Sequence, residues 1–285
     1  RGRASRADRD AVAARLQAQG RHERVALLLG AAGRELRGVG RDRRFDARIL
    51  DALDAVRGKA RTGVLPPREI VDPGTIVHEM RLRKSAAEIE TMLRAAEITA
   101  KAHARAMEIA APGRYEYEVE AELLRTFRAH GAERPAYGSI VGSGPNATIL
   151  HHRRNDRRME QGELLLIDAG AEYAYYACDV TRTFPVGGRF SPEQRAIYDV
   201  VLAAQAAAIA AVRPGTTLNE VHQKALEVLV DGLVTLGLIE GPVASAMQEE
   251  RYKPYYMHRT SHWLGMDVHD VGDYFVSKQA RELEP

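Results

Sequence analysis

Two carboxylates and a group of histidines have the most chemistry to offer in this chain. Asp168 closes an otherwise apolar run, Leu164-Leu-Leu-Ile167, where an ionised carboxylate is costly unless it is paired or bound to a cation. Asp179 follows in Cys178-Asp-Val-Thr-Arg-Thr-Phe184, and Gly170 offers a turn between the two segments. If both segments are strands folded together, the two anions come close and repel, and a divalent cation is the usual remedy. The plainer alternative has Asp168 capping a turn and Asp179 pairing with Arg182. These residues alone leave the two readings even.

His258, His262 and His269 fall within Met257–Gly272. A lone histidine is more often a satisfied core residue than a ligand. Three in one short segment, with Gly265 and Gly272 permitting close backbone approach, point to a site, and neutral imidazole is a good ligand for Zn, Mn, Co or Fe. A third element is Thr148-Ile-Leu-His-His152. His151, at the end of such a strand, could orient a substrate or donate to a developing oxyanion; on this segment alone a surface histidine pair is the simpler account.

The elements that must position these groups are legible in outline. Residues 1–44 are rich in Arg, Ala and Gly, with one candidate strand, Val25–Leu29. Ile49, Leu50, Leu53 and Val56 predict a helix from Asp46 to Val56. Pro66-Pro67 and Asp72-Pro73-Gly74 break the chain, and Ile76–Met80 reads as a short strand or turn. A domain boundary is expected near residue 82. Ser85, with Glu88 three positions on, forms a capping box opening a long helix. Its expected apolar stripe is Ile89, Leu93, Ala96, Ile98, Ala100 and Met107, and Pro112-Gly113 ends it. A second helix spans about Glu116 to His130, with Val119, Leu123, Leu124 and Phe127 inward. Strands are expected at Ser139–Val141, Thr148–His151, Glu163–Asp168 and Tyr173–Val186, with a loop at Gly142–Asn146. Two more helices follow, Ser191 to about Val212 and Leu218 to Leu236, the latter capped by Thr217. The tail from Tyr255 to Val276 is aromatic and β-branched again. Two helices then strands, twice over, is the pattern of an internal duplication.

Composition narrows the function class. The chain has 285 residues, 45% of them apolar, and a formal charge of only +2. That gives a core of ordinary size and no strong field for nucleic acid or an anionic membrane. The Arg residues near the start are spread out and lack interleaved aromatics, so nucleic-acid binding is not expected. No apolar run is long enough for a membrane span. Cys178 is the single cysteine, which fits a reducing cytoplasm. The chain opens on Arg1 rather than Met, so an N-terminus lying upstream, or trimmed, is expected.

Taken in order, Ile140-Val-Gly-Ser-Gly144, Ile149-Leu-His151, Leu166-Ile-Asp-Ala-Gly170, Cys178–Phe184 and Ser261–Gly272 resemble the pita-bread metallopeptidases, and among them the bacterial Xaa-Pro aminopeptidases, over roughly residues 83–285. The resemblance implies an α+β fold of the pita-bread (creatinase/aminopeptidase) type with two pseudo-symmetric αα-β halves, incomplete at the C-terminus. It implies a catalytic domain at 83–285 preceded by a partial N-terminal α/β domain at 1–82. It assigns Asp168, Asp179 and His262 as ligands of two divalent ions, usually Mn²⁺, with Co²⁺ or Zn²⁺ as alternatives. His151, His269 and His258 become substrate-site histidines. The implied reaction removes the residue before a proline at the second position of a peptide, in a cytoplasmic homo-oligomer. The family's two Glu ligands come later than Arg281-Glu-Leu-Glu-Pro285, and Glu282 and Glu284 do not match them, so this stretch by itself is expected to be inactive. A prolidase on the same fold and a non-catalytic peptide-binding module are the competing readings.

Overall fold

The computed structural model describes residues 24–25, 43–64, 67, 69–70 and 74–285. Two compact units emerge, Arg1–Met80 and Arg81–Pro285. In the first, β1 (Arg24–Val25) pairs in parallel with β2 (Glu69–Ile70), and α1 (Arg43–Arg57) covers the predicted helix. The rest of the candidate strand Val25–Leu29 lies outside the described residues. Helix α2 spans Gly74–Leu82, so Ile76–Met80 is helical rather than a strand or turn. Its β-branched pair Ile76-Val77 suggested extension, but helix propensity is a weak preference that context overrides.

The second unit is built on α3 (Ala86–Ile109) and α4 (Glu116–Ala129). Ser85 and Glu88 form the expected reciprocal capping box at α3. Val119, Leu123 and Phe127 of α4 are fully buried as expected, with Leu124 packed at the margin. The stripe expected on α3 is largely wrong. Ile89, Leu93 and Met107 are exposed, and the buried face is Ala95, Ile98, Thr99, Ala102, His103 and Ala106. Apolarity was the wrong guide, because this face is small and partly polar for a reason. Thr99 Oγ1 accepts from the Ala171 amide at 2.9 Å while donating to Ala95 O, and His103 Nε2 donates to Ala169 O at 3.0 Å. Small side chains let sheet backbone approach the helix, and the two polar ones satisfy backbone groups that such contact would strand.

The sheet carries the site. β4 (Ile140–Ser143), β5 (Leu164–Asp168) and β8 (Thr181–Pro185) form an antiparallel sheet with β5 central. Alternation along β5 buries Leu165 and Ile167 against the helices and leaves Leu164, Leu166 and Asp168 half-buried on the other face. Period-two geometry thus moves Asp168 off the core without breaking the strand. β3 (Arg134–Pro135), β6 (Ala171–Tyr173) and β7 (Tyr176–Ala177) form a second small sheet. The expected strand Tyr173–Val186 is therefore interrupted twice. It reverses at Ala174 and Tyr175, both at positive φ as a two-residue hairpin loop requires, and it loosens at Cys178–Val180.

Gly170 has a different task from the one expected. The turn is four residues further on, and Gly170 sits at the bend between β5 and β6 against the loosened segment at Cys178. A Cβ there would lie 1.6 Å from Cys178 O. The expected strand Thr148–His151 is instead a 3₁₀ turn, Gly144–Thr148, followed by a tight turn with His151 at φ 54°; Pro145 pre-sets that conformation. β4 in turn runs on into the expected loop.

Helices α5 (Pro192–Ala211) and α6 (Leu218–Thr235) are capped by Ser191 and Thr217 and pack on each other. A short α7 (Val243–Gln248) follows. The tail expected to form strands is irregular from Met257 to Tyr274, before the small hairpin β9 (Phe275–Val276) and β10 (Gln279–Ala280). Among the described residues no helix is long and apolar enough to cross a membrane.

Because Gly170 faces backbone that cannot yield cheaply, Gly170→Ala is expected to lower stability by about 3 kcal/mol. An unchanged urea midpoint for that variant would contradict the tight crossing.

Candidate metal centre

Three elements converge on the half-buried face of the central strand. Asp168 arrives from the end of β5, Asp179 from the loosened segment between β7 and β8, and His262 from the irregular tail. The Tyr137 hydroxyl donates to Asp168 Oδ1 and also to Asp179 Oδ1, at 2.9 Å from the latter. Both carboxylates thus share a single donor. His262 Nε2 lies 3.1 Å from Asp179 Oδ2. Arg182 donates to a backbone carbonyl, Thr181 O, and the structure places His262 rather than Arg182 at Asp179.

Tyr137 escaped the sequence reading. It stands alone between Ala136 and Gly138, with no spacing pattern to mark it. Tertiary structure puts it in place: the Ala136 amide donates to Gly170 O at 2.8 Å, pinning the residue before Tyr137 to the bend beside Asp168.

The charges respond to this crowding. Burial, assisted by Asp179, pushes the Asp168 carboxyl up despite the Tyr137 and Thr181 donors. Burial acts on Asp179 too, but the hydrogen bonds from His262 and Tyr137 outweigh it and hold that carboxyl below its usual range. The Tyr137 phenol is pushed far up by burial and by the Asp168 charge, so it remains a proton donor across the working pH range. His262 is pushed up by its bond to Asp179, against burial.

Imidazole geometry favours a cation. His262 Nδ1 sits 2.9 Å from Trp263 O; a carbonyl only accepts, so Nδ1 carries a proton and Nε2 is the atom aimed at the carboxylates. A histidine held this way presents Nε2 to a metal. Two carboxylates with opposed shifts and one oriented imidazole form a donor set that suits a divalent ion.

The other predicted histidines gather around this set. The His269 ring stacks on His262 with centroids 4.0 Å apart and planes 9° apart. Burial, and then the nearby His262, His151 and His258, push His269 down. His151 and His258 meet edge to face at 6.3 Å. All six residues singled out in the sequence therefore share one neighbourhood. Trp263 stacks on Tyr274 and lines an adjoining cavity of about 540 Å³ with Thr260, Ser261 and Phe275.

A second acid–histidine group, Glu116, His152 and Asp156, has ligand atoms within 4.8 Å of one another. The buried Glu116 carboxylate already accepts from the Ser143 amide and hydroxyl, the Asn146 side chain and the Arg157 amide. It is a clasp joining α4 to the end of β4, with its lone pairs in use.

The model of metallopeptidase family M24 matches residues 90–285. The chain is 47% identical over 240 residues to Xaa-Pro aminopeptidase from Escherichia coli, a match covering 84% of this chain and 54% of that protein. It is 47% identical over 211 residues to the Haemophilus influenzae Xaa-Pro aminopeptidase, covering 74% of this chain and 49% of that one. Its fold is similar to that of Pseudomonas aeruginosa aminopeptidase PepP, with TM-score 0.85 and 53% identity over 87% of this chain and 56% of the other. It is also similar to a variant of Escherichia coli aminopeptidase P solved in complex with substrate, with TM-score 0.83 and 45% identity, covering 87% and 56%. The chain spans about half the length of the curated relatives it matches.

Removing the shared donor should expose the repulsion between the two carboxylates. Tyr137→Phe is expected to cost about 2 kcal/mol at neutral pH, the scale of a hydrogen bond to a charged group. The donor stabilises the ionised forms, so its contribution is full when both carboxyls are charged. It fades as pH falls through their folded-state values. Denaturation curves at neutral and acidic pH check the sign; a cost that grew on acidification would refute the shared-donor arrangement.

Proposed function

Since the chain belongs to metallopeptidase family M24, we propose that the protein is a metal-dependent Xaa-Pro aminopeptidase, removing the N-terminal residue from peptides with proline second. The observation that carries this reading is the meeting of Asp168, Asp179 and His262 around the Tyr137 hydroxyl. In this proposal residues 83–285 are the catalytic domain and residues 1–82 part of a separate N-terminal one. The protein works in the cytoplasm as a homo-oligomer, and its metal is Mn²⁺, with Co²⁺ or Zn²⁺ as substitutes.

Asp168, Asp179 and His262 would hold divalent cations, which would supply Lewis acidity and an acidified water there. The chain's own residues do the rest. Tyr137 keeps the carboxylates together and favours their charged forms. Burial, and then the neighbouring His262, push His269 down towards its neutral form, in which one ring N–H can donate to a developing oxyanion; His151 is the second candidate donor, and His258 lines the same pocket. A proline after the scissile bond carries no amide N–H and has a fixed, narrow backbone. It must be selected by shape, and the Trp263–Tyr274 stack is a suitable wall.

Purified whole protein is expected to cleave Xaa-Pro-Yaa tripeptides only with divalent metal present. Asp179→Asn should reduce that rate by roughly a hundredfold or more, exceeding the usual cost of losing a residue behind a ligand. Undiminished cleavage in chelator, or by the Asn variant, would overturn the assignment. Preference for Xaa-Pro dipeptides over longer peptides would make it a prolidase.

A further inference from the structure

The segment that supplies His262 and His269 has no regular secondary structure from Met257 to Tyr274, yet it must hold an imidazole in place. Its anchor is Asp270. This side chain is 1% exposed and lies between two cations, Arg81 at 2.5 Å and Lys84 at 2.9 Å. Arg81 also pairs with Asp267 at 2.7 Å, so two acids and two bases balance. The Asp270 carboxylate fills the space against Gly265, where a Cβ would lie 2.1 Å from Oδ2. Gly265 O in turn accepts from the Ala177 amide at 2.8 Å, two residues before Asp179.

The backbone of the same residue completes the connection. The Asp270 amide donates to Trp263 O at 3.0 Å, and that carbonyl also accepts from His262 Nδ1. Charge anchors the carboxylate, the adjoining amide fixes a carbonyl, and the carbonyl sets the tautomer and aim of the His262 ring towards Asp179. We propose that Asp270, held by Arg81 and Lys84, is the positioning residue that orients His262 at the metal centre. This rests on the peptidase reading only for its catalytic consequence, because the orientation itself is a property of the metal-free chain.

Asp270→Asn keeps the size and the amide but removes the charge that holds Lys84 and Arg81. Two readouts follow in the whole protein: the imidazole ¹H–¹⁵N spectrum of His262 without metal, and Co²⁺ affinity with its visible absorption. We expect wild-type His262 to show a protected Nδ1–H that is lost in Asp270→Asn. We expect Co²⁺ affinity to fall roughly ten- to a hundredfold, the usual effect of losing a residue behind a ligand, with an altered Co²⁺ spectrum. A lowered melting temperature with the His262 spectrum and Co²⁺ affinity unchanged would make Asp270 merely structural and overturn the proposal. Should Asp270→Asn fail to fold, Lys84→Met, which leaves the Arg81 pair, must give a smaller change in the same direction; no change refutes the proposal equally. Wild-type protein with no Co²⁺ affinity, or with an affinity that Asp168→Asn leaves unchanged, would count against the metal reading, while the His262 spectrum would still decide the role of Asp270.

Discussion

Two like charges held side by side are the constraint around which this unit is organised. Asp168 and Asp179 lie close enough to share one hydroxyl, in surroundings that penalise each of them for being charged. Left alone, such a pair would protonate or splay apart. A phenol too weakly acidic to ionise and the Nε2 edge of the His262 imidazole, 3.1 Å from Asp179, offset the repulsion. The same arrangement suits a divalent cation, so the features that make the pair tolerable without metal also explain why metal would bind there.

Everything that brings the carboxylates together acts through backbone. Asp168 leaves the core by strand alternation, and the bend at Gly170 lets the segment at Cys178 pass close by. The small, partly polar face of α3 holds that bend through Thr99 and His103, while the amide of Ala136 takes the Gly170 carbonyl and brings Tyr137 alongside. A larger residue at Gly170 or on this helix face would push the strands apart before it touched either carboxylate.

The histidine side of the centre is organised differently. It lacks a strand or helix to hold it, and its geometry comes from a buried ionic group and a few backbone bonds between Gly265, Ala177, Trp263 and Asp270. A rigid sheet presenting two acids and an ionically anchored loop presenting two stacked imidazoles are separately held halves of one site.

The sequence by itself singled out side chains that the fold then brings together. An acid ending an apolar run, a second in the following β-rich segment, and three histidines in one short glycine-containing stretch were legible because a carboxylate in apolar surroundings is costly unless it is paired or meets a cation, and three histidines so close together point to a site. Helix starts were legible too, since the capping box at Ser85 and the cap at Thr217 are local. Tertiary structure alone decided which helix face is buried, because Ala95, Thr99 and Ala102 carry no apolar signature until a sheet lies against them. It alone converted Thr148–His151 into a turn, assigned Gly170 to close approach instead of reversal, and recruited Tyr137 and Asp270. Those two residues act through partners dozens to almost two hundred positions away. A contact set by the meeting of distant segments leaves no periodicity or spacing in the chain, and so cannot be read along it.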